Sequence, residues 1–124
     1  MDGLYEIWLT LALGFGGVTA ADLCRQWGAE RVYRATPDEL REFPNLSTYQ
    51  LNALCKKDLR RAGKIAERCR REGHRVLTWE EEDFPEELRQ LEDMPRVLYT
   101  WGDVRLLTEG VRVAVVGARK MDEY

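Results

Sequence analysis

The sequence predicts an α+β protein in which an all-helical part, residues 1–72, is followed by residues 73–124, the opening of an α/β unit. Three observations carry this. Before Gly73 the apolar residues recur at helical spacing between glycine, proline and capping residues. After it the period shortens to that of strands. Val111-Arg-Val-Ala-Val-Val116 is then too β-branched for a helix and stops at Gly117, which predicts a buried strand running into a tight turn.

Leu4, Ile7, Trp8 and Leu11 fit a first helix, Leu4 to Leu13, packed on one side and ended by a glycine. Leu13-Gly14-Phe15-Gly16-Gly17-Val18 then reads as an apolar-glycine hairpin leading into a second helix, the pattern of a helix-hairpin-helix. In such a unit the glycines turn the backbone sharply and aim amides at a DNA phosphate. As plain connectors they would only end one helix and start the next. Both readings of Gly14 and Gly16 stand.

A short helix is expected over Ala29 to Ala35. Thr36-Pro37-Asp38-Glu39 is a capping box that starts another, running to Phe43. Ser47 should cap one long helix reaching Glu72, with Leu51, Leu54, Cys55, Leu59, Ala62, Ala66 and Cys69 on its buried stripe. Lys57, Arg60, Arg61, Lys64, Arg68 and Arg71 share another face, which suits either a solvated surface or a phosphate backbone. Strands are expected over Arg75 to Trp79 and Val97 to Trp101. Between them Asp83 and Glu86 suggest a capping box for a brief helix from Pro85 to Leu91.

At 124 residues, 44% hydrophobic and 33% charged, the chain is too apolar for disorder and large enough for a modest core. The Leu4 to Leu13 run contains Glu6 and lacks a basic leader and a cleavage site, so neither a signal peptide nor a membrane span is expected. Cys24, Cys55 and Cys69 form no Cys-x-x-Cys pair and have only His74 beside them, which predicts no zinc site and a reducing, cytoplasmic setting. The net charge of −3 conceals a division. Between Cys55 and Arg75 nine Lys or Arg stand against three acids, and between Trp79 and Asp93 eight acids stand against Arg89 alone.

No catalytic set emerges. Ser47 is the sole serine and reads as a cap, and His74 lies in a charged junction without placed partners. The acids Glu80 to Asp83 read as a solvated loop. We expect no enzyme, no metal and no cofactor.

Asp83-Phe84-Pro85, then Leu88, Pro95-Arg96-Val97-Leu98-Tyr99, Trp101-Gly102 and finally Val115-Val116-Gly117-Ala118-Arg119 keep one order and spacing. This resembles the DNA-processing protein A family (DprA), whose pattern runs Tyr-Pro, Leu, Pro-x-Val-Leu-Tyr, Gly and Val-Gly-Ser-Arg. The resemblance implies an N-terminal domain of helix-hairpin-helix or SAM-like type and a Rossmann-like domain beginning after Gly73. It also implies a single-stranded DNA-binding protein that helps load the strand-exchange recombinase in natural transformation. Gly117, Ala118, Arg119 and Lys120 would then form the phosphate-holding turn. Ala118 stands in place of the family's Ser, and Asp122 where Ser or Thr is favoured.

The valine strand meets Tyr124 before any crossover helix, so the chain reads as a fragment or a truncated relative, expected to self-associate or to be unstable alone. Two other functions stay open: a nucleotide-binding Rossmann protein of the lysine-decarboxylase-like (LOG) group, and a protein-interaction module that binds no DNA.

Overall fold

The structure is a computed structural model, and it describes residues 3–116. Its elements are α1 (Leu4–Leu13), α2 (Val18–Trp27), α3 (Ala29–Arg34), α4 (Pro37–Arg41), α5 (Thr48–Leu54), α6 (Arg60–Arg71), β1 (Arg75–Thr78), α7 (Glu86–Arg89), β2 (Val97–Thr100) and a 3₁₀ turn over Val104–Leu107. The α+β class predicted from the sequence is observed.

α1 is the central element rather than a helix packed on one side. Leu4, Ile7, Leu9, Leu11, Ala12 and Leu13 leave little polar surface anywhere around it, and a helix apolar all round belongs in a core. It packs against α2, α3, α5, α6 and β2. Ile7 and Leu9 are fully buried. The buried Thr10 hydroxyl donates to the Glu6 carbonyl at 2.9 Å, so it does not compete with the packing. Burial raises the pKa of Glu6, which neighbouring acids reinforce.

The long helix expected over 47–72 is two helices, α5 and α6, parted by residues 55–59. Two aromatic side chains capture the carbonyls that the break frees. The Trp8 indole N–H donates to the Lys56 carbonyl at 3.2 Å, and the Tyr33 hydroxyl donates to the Lys57 carbonyl at 3.3 Å. Asp58, two residues ahead of α6, accepts from the Arg60 amide at 2.9 Å and so satisfies the first amide of that helix. Local spacing could not show this, because the decisive partners come from α1 and α3. Cys69 is buried on α6, whereas Cys55 lies half-buried in the break.

The Thr36–Glu39 capping box forms as expected, and Ser47 makes a second one with Gln50. The box expected from Asp83 and Glu86 does not form. Asp83 is drawn to Arg75 at 3.0 Å, Pro85 occupies the cap position, and α7 stops at Arg89 rather than Leu91.

β1 and β2 pair antiparallel, with Val76 opposite Tyr99 and Leu77 opposite Leu98. The sheet lies on the helices: Val97 shares a core with Ile7, Leu23, Leu40, Leu54 and Ala62. Gly3 meets β1 so closely that a Cβ there would lie 2.9 Å from both Val76 Cγ1 and Thr78 Cγ2. The strand expected over Val111 to Val116 is not formed, and its four valines are exposed. A strand exists through its partner's hydrogen bonds, and valine-rich composition supplies only propensity. Among the described residues no third strand runs beside this one.

Gly3 has φ +72°, so Gly3→Ala combines left-handed strain with the clash against β1. It should destabilise the fold by about 1–3 kcal/mol in urea denaturation. An unchanged midpoint would show that α1 and β1 do not meet this tightly.

Candidate nucleic-acid interface

Three features bear on nucleic-acid binding: the glycine hairpin, the basic face of α6, and the segment leading to Gly117. The hairpin is an exposed turn, with Phe15 at its tip 74% exposed. Gly14 and Gly17 take positive φ of 90° and 112°, which lets α1 end and α2 begin within four residues. The Gly14 amide donates to the Thr10 carbonyl at 2.8 Å, and the Gly14 carbonyl accepts from the Arg96 guanidinium. Gly16 stays on the exposed side of the turn.

Arg96 is 1% exposed and forms no ion pair among the described residues. Beyond Gly14, it donates to the Met94 carbonyl at 3.2 Å, while its Nε has no partner. Burial lowers its pKa. It occupies the variable position of Pro95-Arg96-Val97-Leu98-Tyr99, just ahead of β2, and ties that segment to the hairpin. A second arginine works similarly. Arg25 of α2 donates to the carbonyls of Arg89 at 2.8 Å and of Leu91, closing the C-terminal end of α7. Neither role is marked by local sequence spacing. The apolar run around Arg96 was the only available signal, since a guanidinium there must be buried or held.

On α6, Ala62, Ala66 and Cys69 face the core, and Arg60, Arg61, Lys64, Arg68 and Arg71 are exposed. Lys57, expected among these cations, leaves the set because the helix breaks beside it. Its ammonium donates to the Val32 carbonyl at 3.0 Å and sits 5.1 Å from the centre of the Trp8 ring, and burial lowers its pKa. Arg60 pairs with Asp58, whose carboxyl is held down to about 2 chiefly by that guanidinium's hydrogen bonds. Arg68 pairs with Glu72 at 3.0 Å. Arg61, Lys64 and Arg71 form no ion pair among the described residues.

Of the acids after Trp79, Glu81 and Asp83 pair with Arg75 at 3.0 Å each, Glu86 with Arg89 at 2.8 Å and Glu87 with Arg112 at 2.7 Å. Arg89 also donates to the backbone carbonyls of Trp79 and Glu81. Among the described residues no cluster of His, Cys, Asp and Glu could hold a metal ion. None of their helices is long and apolar enough to cross a membrane. Burial pushes the Cys24 thiol up to about 12, which makes it an inert core residue. Gly117, Ala118, Arg119 and Lys120 lie outside the described residues.

Residues 75–124 match the family model of DNA recombination-mediator protein A. The similarity covers the segment that follows the helical part. The match begins on the first residue of β1 and takes in Arg96, β2 and the run through Gly117 to Lys120. No curated protein and no solved structure matches the chain. The contact between Arg96 and Gly14 therefore joins the family segment to the hairpin between α1 and α2.

Arg96→Lys retains the charge but has a single ammonium in place of the two guanidinium branches that reach Gly14 and Met94. It should lower stability by about 1–3 kcal/mol, the range for a hydrogen bond to a charged group. A denaturation midpoint equal to that of the parent protein would show that these contacts are dispensable.

Proposed function

We propose that this protein binds single-stranded DNA as a recombination mediator and helps load the strand-exchange recombinase onto incoming strands during natural transformation, in the cytoplasm and without catalysing a reaction. The family match over residues 75–124 carries this reading, because it includes the Gly117-Ala118-Arg119-Lys120 run. Gly117 would allow a phosphate close to the backbone, and Arg119 and Lys120 would supply the charge. Gly14 and Gly16, on their exposed turn, are a secondary contact candidate. A Rossmann-like continuation of the sheet and a helix-hairpin-helix role for α1 and α2 belong to the same proposal.

A second reading is favoured by one observation. Trp101, Leu106, Val111, Val113, Val115 and Val116 are all exposed, Trp101 by 85% and Val111 by 96%. Apolar side chains in such number over so short a stretch suit a protein-interaction or self-association surface. Burying a valine-sized side chain contributes roughly 1.5 kcal/mol or more, enough for several together to hold two copies.

Fluorescence anisotropy with labelled oligonucleotides, across a series of salt concentrations, separates the two. The proposal expects single strands to bind more tightly than duplex, binding to weaken as salt rises, and Arg119→Ala to weaken it equally for all base sequences. Duplex binding as tight as single-strand binding, or an Arg119→Ala protein with unaltered affinity, would contradict it. Light scattering on the same samples tests the second reading, which expects the apparent mass to rise with protein concentration. A constant monomer mass would refute it.

A further inference from the structure

We propose that the outward face of α6 is a second, sequence-independent contact for the phosphodiester backbone of a DNA strand; this rests on the DNA-binding reading above and adds to it a surface on the helical part of the chain. α6 carries six Lys or Arg against Glu67 alone. At 3.6 residues per turn, Arg60, Arg71, Lys64, Arg68 and Arg61 fall within an arc of about 100°. That arc points away from Ala62, Ala66 and Cys69, which are buried against the core. Arg60, Lys64 and Arg68 follow one another at about 6 Å of axial rise, a spacing on which successive phosphates of an extended strand can be met.

The acids near this arc do not neutralise it. Asp58 is taken by Arg60, Glu72 by Arg68, and Glu67 by Arg70 on the adjacent flank, all as exposed pairs. Exposed pairs hold each other weakly, so a phosphate can compete for the arginines. Among the described residues Arg61, Lys64 and Arg71 pair with no acid.

Gly63 adds an independent observation. It sits in the interior of α6, where glycine lowers helix stability, yet a Cβ added there would meet nothing within 4 Å. Packing within the protein therefore does not require a glycine at this position. It lines a shallow groove with Arg60, Lys64, Glu67, Arg68 and Arg71. Absence of a side chain there lets another backbone lie close to the helix. The arc carries no aromatic residue, so bases are neither stacked nor read and the contact is ionic.

The test uses the full chain with Arg61→Ala, Lys64→Ala and Arg71→Ala combined. These are exposed residues replaced by the best helix former, and circular dichroism should show an unaltered fold. A control removes the same charge elsewhere, with Arg31→Ala, Arg34→Ala and Arg41→Ala on α3 and α4. With a labelled oligothymidylate, the α6 variant should bind about tenfold more weakly, and the slope of log affinity against log salt should shrink by about 2, from roughly 0.7 per lost phosphate contact. The control should change affinity by less than about threefold. If the α6 variant binds as tightly as the parent protein, or the control loses as much, the α6 contact is refuted while the DNA-binding reading survives. If the parent protein binds no oligonucleotide, both are refuted.

Discussion

Everything in this structure hangs on the burial of one ten-residue helix. α1 packs against five other elements, and each of its ends and its middle fixes a different neighbour. At its start, Gly3 lets the backbone lie against Val76 and Thr78 of β1. In its middle, Trp8 takes the Lys56 carbonyl and holds open the break between α5 and α6. At its end, the Gly14 carbonyl accepts from Arg96, just ahead of β2. A helix with fewer apolar positions could lie on a surface, but this one has to be enclosed, and the enclosing elements take their places from it.

That arrangement has consequences for binding. By breaking the basic segment at residues 55–59, Trp8 and Tyr33 pull Lys57 inward and leave a shorter helix whose cations all face out. By holding the Gly14 carbonyl, Arg96 joins the hairpin to the segment that matches the family model of DNA recombination-mediator protein A. The hairpin and the family segment are therefore mechanically linked, although more than eighty residues separate Gly14 from Arg96 in the chain.

Much of this was legible in the sequence wherever a signal was local. Leu4 to Leu13 appears with the expected bounds, the Thr36–Glu39 box is formed, and the strands at Arg75 and Val97 start where their pattern begins. Readings that needed a distant partner were the ones that failed. The run Ser47 to Glu72 has unbroken helical spacing, yet hydrogen bonds from α1 and α3 make its break favourable. Asp83 resembles a cap, but Arg75 offers it a charged partner instead. Val111 to Val116 has strand composition, but the described residues place no strand alongside it. Of the candidate site, the α6 cations could be read from helical spacing, whereas the buried roles of Arg96 and Lys57 depend on the fold.

Binding of single-stranded DNA through backbone contacts is the claim on which the functional account rests. Amide chemical-shift mapping of the full chain during titration with an oligothymidylate tests it most directly. The account predicts shifts that move together and saturate at Gly117 to Lys120 and along Arg60 to Arg71, and that reverse on addition of salt. Shifts confined to Trp101 and Val111 to Val116, or no shifts at any ratio of DNA to protein, would contradict it.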